Sequence, residues 1–351
     1  MTGQVGPTSA DRRPQVVKPE SLLCPKPLGL YCPPGDFFID PVRPVDRAVI
    51  THGHADHARA GHGTVVATPE TLAIMAVRYG PDFCGTAEPV RYGERLVRDG
   101  VEVSLVPAGH VLGSAQAVVR YKGLTMVASG DYKRRRDPTC PAFEPVPCDV
   151  FITEATFGLP VFRFPPDSEE IAALLASVAQ FPERCHIVGA YALGKAQRVI
   201  RLLREAGYEK TIYVHGALLR LNALYEAHGV DLGPLASATD EAKADFAAAI
   251  VIAPPSALQD RWSRRFPDPV SAFASGWMRV RARARQRAVE LPLVISDHAD
   301  WDELTSTIAE LKPREVWITH GREEALARWA ALNGVQARAL ALVGYEEEEG
   351  E

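Results

Sequence analysis

The six cysteines of this 351-residue chain, Cys24, Cys32, Cys84, Cys140, Cys148 and Cys185, include no C-x-x-C pair. That scatter speaks against a disulfide framework or a thiolate zinc knuckle and leaves reduced thiols. Long apolar runs are also missing: the longest stretch, Phe246 to Pro254, is far short of the roughly 20 residues that a membrane span needs. Met1 to Glu20 has no apolar core of the kind a signal peptide carries, so it reads as a flexible leader (residues 1–20) of a cytoplasmic protein with no membrane partner. Basic excess is absent as well, since 39 Lys and Arg against 44 Asp and Glu give a net charge of −5. A basic nucleic-acid coat is therefore not indicated, although local clusters of arginine can override the total. No internal repeat is visible. What is present, 46% hydrophobic and 8% aromatic residues, suffices for a large core. The length points to one large α/β domain or two associated ones.

Short β-type runs alternate with amphipathic stretches, the pattern of a layered α/β fold. The strand candidates are Ala48 to Thr51, Val103 to Pro107, Thr125 to Ser129, Asp149 to Thr153, His186 to Ala190, Thr211 to Val214, Ala249 to Ala253, Leu293 to Ser296 and Glu315 to Thr319. Apolar residues at three- and four-residue steps predict helices over Ser168 to Ala179, Leu193 to Glu205, Trp301 to Leu311 and Arg322 to Ala331. The proline-rich segments Pro138 to Pro147, Phe162 to Pro166 and Pro254 to Pro269 read as long connections, the last two bracketing an insertion. Glu346 to Glu351 reads as a solvated acidic tail.

The chemistry concentrates in Thr51-His52-Gly53-His54-Ala55-Asp56-His57, four metal-ligand side chains directly after an apolar strand. Histidines two apart on an extended or tightly turning backbone can face one ion while Asp56 and His57 turn toward a second. A purely structural role is hard to justify, because buried imidazoles and a carboxylate cost several kcal/mol unless satisfied. Similar ligand types recur at other strand ends: His110 after Val103–Pro107, Asp131 after Thr125–Ser129, and His320 after Glu315–Thr319. Together these five His and two Asp make the inventory of a two-metal site.

The motifs His52-Gly53-His54-Ala55-Asp56-His57, Gly109-His110-Val111-Leu112-Gly113-Ser114 and Ser129-Gly130-Asp131-Tyr132 resemble those of the metallo-β-lactamase fold in its nucleic-acid-processing β-CASP branch. Glu154 in Thr153–Gly158, His298 in Ser296–Asp300 and His320 in Thr319-His320-Gly321 match the further motifs of that branch, and Gly189–Lys195 is similar to the segment opening its first inserted helix. Gly29–Asp40, Asp131–Arg134 and Gly276-Trp277-Met278 resemble the bacterial ligase-associated DNA exonucleases most. The resemblance covers about Leu22 to Leu342. It implies a four-layer αβ/βα sandwich built from residues 21–163 and 291–345, with an inserted β-CASP α/β domain over 164–290 and the acidic tail at 346–351. It implies that His52, His54 and His110 hold one divalent metal, Asp56, His57 and His320 a second, and that Asp131 bridges them. Zinc is the family's usual metal, manganese serving some of its nucleases, and a ligand set without thiolate does not choose between them. The implied activity is exonucleolytic hydrolysis of DNA before ligation, with an ATP-dependent DNA ligase and a helicase as pathway partners. Two cations roughly 3.5–4 Å apart would activate a water for in-line attack on the phosphodiester. Asp56 is then the candidate acceptor of the water proton, His298 the candidate acid toward the departing sugar oxygen, and Glu154 its orienting partner.

Lys195 and Gly194, in the first turn of a helix, could meet a phosphate or simply pack. Arg279, Arg281, Arg283, Arg285 and Arg287 recur at every second position. An extended backbone would aim all five at one face, forming a phosphate track with Arg134, Arg135, Arg136, Arg261, Arg264 and Arg265. His62 reads as structural or exposed, and His186 and His228 have no ligand-like setting. His215 sits at a strand end and is open between lining the cleft and an ordinary position. The rival functions are a β-CASP ribonuclease, which His320 favours, a hydrolase of small thioesters or lactams, and an inactive scaffold.

Overall fold

The computed structural model describes residues 17–239, 246–340 and 342. Most of the predicted leader and all of the acidic tail lie outside the described residues.

Three sheets organise the chain. The first comprises β1 (Cys24–Lys26), β2 (Gly29–Cys32), β3 (Phe37–Ile39), β4 (Arg47–Val49), β5 (His62–Ala67) and β6 (Cys84–Pro89), side by side in sequence order. The second has the order β19-β18-β11-β10-β9-β8-β7, built from β7 (Arg95–Arg98), β8 (Val101–Pro107), β9 (Ala115–Tyr121), β10 (Leu124–Ala128), β11 (Val150–Ala155), β18 (Glu315–Gly321) and β19 (Gln336–Ala339). The third is parallel throughout and runs β14-β13-β15-β12-β16-β17, from β12 (His186–Gly189), β13 (Ile212–Val214), β14 (Leu235–Ser237), β15 (Ile250–Ala253), β16 (Val270–Ala274) and β17 (Leu291–Leu293). The helices are α1 (Pro19–Leu22), α2 (Pro69–Tyr79), α3 (Asp167–Gln180), α4 (Lys195–Glu205), α5 (Leu219–Ala227), α6 (Arg281–Gln286), α7 (Trp301–Leu311) and α8 (Glu323–Leu332).

Alternation along the strands dictates the layers, since successive side chains point to opposite faces. Phe37, Ile39, Val49 and Val66 of the first sheet pack against Val103, Leu105, Val119, Met126, Ile152 and Trp317 of the second, forming the central core. The intervening residues face outward and are covered by helices. Ala48, Val65 and Ala67 meet Leu72 and Met75 of α2, while Val127, Phe151, Val316 and Ile318 meet Leu304 and Ile308 of α7 and Leu326 of α8. The four layers are thus α/β/β/α, a metallo-β-lactamase sandwich. The chain leaves the second sheet after β11, builds the third sheet, and returns as β18 to pair with β11 in parallel. Strands of the third sheet read as continuous apolar runs because both faces are covered, by α3, α4 and α5 on one side and by Phe246, Ala257 and Phe266 on the other.

Helix ends follow local chemistry. Thr68 caps α2 by accepting from the Thr71 amide at 3.2 Å, and Asp300 with Glu303 forms a reciprocal capping box on α7. The predicted strand Leu293 to Ser296 stops at Leu293. Beyond it the Val294 amide donates to Glu170 Oε2 at 2.7 Å rather than to a neighbouring strand, and the chain turns away as the loop carrying His298. Among the described residues no helix is long and apolar enough to cross a membrane.

Trp317, fully buried between the two facing sheets, is the largest side chain of the central core. Trp317→Ala is expected to cost about 3–5 kcal/mol, read as a lower urea midpoint at unchanged slope; a loss below about 1 kcal/mol would mean that the sandwich does not depend on it.

Candidate metal centre

Each candidate ligand stands at or just past the carboxyl end of a strand. His52, His54, Asp56 and His57 follow β4; His110 lies in the turn after β8; Asp131 follows β10; His320 is the penultimate residue of β18. Gly130, at φ +55°, makes the bend that delivers Asp131, and a Cβ there would meet Thr51 Oγ1 at 2.6 Å. His298 comes from the loop between β17 and α7.

The side chains converge on Asp131. Its Oδ2 lies 3.4 Å from His52 Nε2, 3.5 Å from His57 Nε2 and 3.8 Å from His110 Nε2, and its Oδ1 lies 2.9 Å from His320 Nε2. Ligand atoms of His52, His54, His110 and Asp131 fall within 4.8 Å of one another, as do those of His57, Asp131 and His320, those of His52, Asp56 and His57, and those of Asp131, Glu154 and His298.

The outer nitrogen of every cluster imidazole is already engaged. His110 Nδ1 donates to the Asp297 carbonyl at 2.8 Å and His54 Nε2 to the Leu193 carbonyl at 3.3 Å. The Thr51 hydroxyl gives its proton to Asp40 at 2.6 Å and so accepts from His52 Nδ1 at 3.1 Å. Thr319 acts likewise, donating to the Thr153 carbonyl at 3.2 Å and accepting from His320 Nδ1 at 3.0 Å. His57 Nδ1 meets Asp40 Oδ2 at 2.8 Å. With their outer protons engaged, His52, His54 and His110 turn inner lone pairs toward the centre, whereas His320 Nε2 lies within hydrogen-bonding distance of Asp131 Oδ1. His110 Nε2 and His54 Nδ1 face each other at 3.0 Å with no proton to share.

The donor set therefore fits divalent cations. His52 Nε2 and Asp56 Oδ1 are buried without a hydrogen-bond partner among the described residues, a costly state that a cation relieves. Burial, then the charge of His57, holds the His52 pKa down at about 4, and burial followed by the neighbouring His52 and His298 rings holds His110 well below its usual value. Both are neutral near pH 7, the form that ligates metal. Burial opposes charge on His57, but Asp131, Asp56 and Asp40 outweigh it and lift its pKa. His298 Nδ1 meets Glu154 Oε2 at 2.9 Å, and Glu154 Oε1 accepts from the Tyr132 amide at 2.8 Å. Burial likewise disfavours charge on His298, yet Glu154 and Asp131 raise its pKa to about 9.

A cavity opens over this cluster, lined among others by Asp56, Thr156, Tyr191, Lys195, Trp277 and His298. Lys195 reaches it, but its ammonium is bonded to Asp297 at 3.0 Å and to the Ile295 carbonyl at 3.0 Å. Burial lowers its pKa to about 8 against the pull of Asp297. Residues not singled out in the sequence matter as much. Asp40, the last residue of the Gly29–Asp40 motif, holds the Thr51 amide at 2.7 Å as well as Thr51 Oγ1 and His57. Asp297 fixes His110 through its carbonyl and pairs with Lys195 and Arg198 through its carboxylate. Thr156 Oγ1 is buried without a hydrogen-bond partner and borders the cavity.

The extended arginine track is not what forms. Arg279 ends a 3-10 turn over Gly276–Arg279 and Arg281 begins helix α6, so the five arginines are distributed around a helical backbone. Arg279, Arg281 and Arg285 face solvent, whereas Arg283 and Arg287, one turn apart, are half-buried. Arg134, Arg135 and Arg136 are held by Glu310, by Asp300 with Glu303, and by Glu205. Arg261 and Arg264 are exposed, and Arg265 donates to the Ala238 carbonyl at 2.8 Å. His62 Nδ1 accepts from the Val45 amide at 3.2 Å, His186 meets Ser177 at 2.8 Å, and His215 caps a short turn against the Trp262 ring.

Asp40→Asn is expected to weaken zinc affinity about 10- to 100-fold by loosening Thr51 and His57, measured by chelator competition; unchanged affinity would reduce Asp40 to a packing role.

A profile of the metallo-beta-lactamase superfamily matches residues 39–183, and one of the Zn-dependent metallo-hydrolase RNA specificity domain matches residues 292–339. The chain is 27% identical to a probable DNA ligase of Opitutus terrae over 89% of its own length and 30% of that protein. It is 35% identical to cleavage and polyadenylation specificity factor subunit 3 of Dictyostelium discoideum over 46% of its length and 25% of that protein. It thus spans less than a third of either relative. A solved structure of a protein of unknown function from Enterococcus faecalis V583 shares the fold, with a TM-score of 0.55 at 12% identity, covering 87% of this chain and 80% of that one. Ligand-bearing strand ends on an α/β/β/α sandwich, interrupted between β11 and β18 by the wholly parallel third sheet, together with these matches, make the chain a member of the metallo-β-lactamase superfamily, in its β-CASP branch.

Proposed function

We propose that the chain is a two-metal DNA exonuclease that trims ends before ligation. The observation that carries the hydrolytic part is the convergence of the ligand atoms of His52, His54, His57, His110 and His320 around the buried Asp131, with the outer ring nitrogens engaged. In this reading His52, His54 and His110 hold one cation, Asp56, His57 and His320 the other, and Asp131 both. A bound divalent cation supplies a Lewis acid that polarises a phosphoryl oxygen and brings the pKa of water near neutrality. Zinc is the favoured metal, with manganese the alternative, because an N/O donor set accepts either.

The protein's own groups do the rest. Asp56, whose side chain is 17% exposed at the cavity floor, accepts the proton of the attacking water. His298, a quarter exposed, gives a proton to the departing sugar oxygen, and Glu154 keeps its ring in register. Thr156 Oγ1 donates to a non-bridging phosphate oxygen.

DNA as substrate is supported by the similarity of nearly the whole chain to a protein named as a DNA ligase. An ATP-dependent DNA ligase and a helicase are the proposed pathway partners. A ribonuclease is the second reading, favoured by the match of residues 292–339 to an RNA specificity domain and by the relative named as endoribonuclease ysh1 of Emericella nidulans, 38% identical over 34% of this chain and 14% of that protein. Both readings share the metal centre.

Two measurements test the proposal. His298→Ala is expected to keep its metal content and lose at least about 100-fold in turnover; loss of metal would reassign His298 as a ligand. On DNA and RNA oligonucleotides of one sequence, labelled at either end, the wild-type chain is expected to release mononucleotides from DNA. Faster cleavage of the RNA would make it the ribonuclease.

A further inference from the structure

The catalytic cavity is small, about 60 Å³. A space of that size favours a phosphate and a water over a whole nucleoside, which directs the base and sugar next to the scissile bond toward the larger neighbour. A neighbouring cavity of about 500 Å³ shares one wall with it, the half-buried side chain of Tyr191. That volume falls in the roughly 300–1,000 Å³ range of small-molecule sites. Its other walls include Gln259, Phe273, Arg283, Gln286 and Arg287.

Helix α6 explains why these two arginines, and not their neighbours, face it. Positions four apart share a helix face, so Arg283 and Arg287 turn inward together while Arg281 and Arg285 turn to solvent. Both inward guanidinium groups lie over aromatic rings, Arg283 at 4.0 Å from the Trp277 centroid and Arg287 at 5.2 Å from that of Phe273. Stacking fixes the plane of each fork, and a fixed fork is suited to phosphate oxygens. Trp277 also lines the catalytic cavity, so Arg283 stands one ring away from it. Tyr191 is edge-on to Phe273, with centroids 6.4 Å apart.

Resting on the nucleic-acid reading above, we propose that this second cavity is the nucleotide subsite beside the scissile phosphate. Arg283 and Arg287 bind the adjoining backbone phosphate, and the Tyr191 ring stacks on the base. Aromatic stacking combined with cationic phosphate contacts is how single strands are held without sequence preference.

The test is fluorescence anisotropy of the full chain with a short single-stranded DNA oligonucleotide, chelator present so that nothing is cleaved. Arg283→Gln and Arg287→Gln are each expected to weaken binding about five- to tenfold and to lower the slope of log affinity against log salt by about 0.7. Arg281→Gln, on the solvent face of the same helix, should change affinity less than about twofold. Tyr191→Ala should lose about tenfold and Tyr191→Phe almost nothing, because the ring and not the hydroxyl stacks. Photocrosslinking of an iododeoxyuridine oligonucleotide to wild-type protein should label the Tyr191 peptide, a readout that needs no variant. Equal losses at Arg281 and Arg287, or no loss at any of them, would overturn the subsite while leaving the nuclease reading intact. Failure of the wild-type chain to bind any oligonucleotide would remove both.

Discussion

Lone-pair convergence is the constraint on which this molecule turns. Imidazoles whose outer nitrogens are held by carbonyls, hydroxyls or Asp40 crowd their inner nitrogens around one buried carboxylate. Such crowding brings ring nitrogens as close as the 3.0 Å between His54 Nδ1 and His110 Nε2. Only the surrounding fold keeps it assembled. The bends at Gly109, Gly113 and Gly130, all at positive φ, bring the turns after β8 and β10 against the turn after β4. Folding thus spends stability on a geometry whose return comes only with a ligand.

The third sheet is tied to that geometry by buried charge. Arg198, fully buried on α4, contacts Asp167, Asp137 and Asp297, and Lys133 pairs with Asp137 at 2.6 Å. Burial penalises the Asp297 carboxylate, but Lys195, Lys133 and Arg198 more than compensate and hold its pKa well below the usual range. Such a network is weak as a source of stability, because desolvation offsets the attraction, yet removing one member leaves a buried charge unmatched. Its service here is positional: the residue whose carboxylate the network clamps is the one whose carbonyl orients His110.

Much of this was legible in the sequence where the information is local. His52 to His57 crowd their ligands into one turn, and His110, Asp131 and His320 each follow a recognisable apolar run. The four helices read from periodicity form to within about two residues. What escaped notice is non-local or weakly patterned. Strand β6, Cys-Gly-Thr-Ala-Glu-Pro, lacks the branched and aromatic residues that announce a strand, and it forms because β5 offers it a parallel partner. Asp40 closes the Gly29–Asp40 motif, but its role appears only when Thr51 and His57 fold against it. The arginine stripe misled because a two-residue repeat does not dictate an extended backbone: on a helix it divides into two faces, one toward solvent and one toward the cavity.

The parallel pairing of β11 with β18 has a temporal side. Residues 156–314 are made between the two strands, so during synthesis six of the seven proposed ligands, His52 to Asp131, emerge long before His298 and His320 do. A nascent or prematurely terminated polypeptide lacks the seventh ligand, His320, and the candidate acid His298, which arrive only when nearly all of the described chain has left the ribosome.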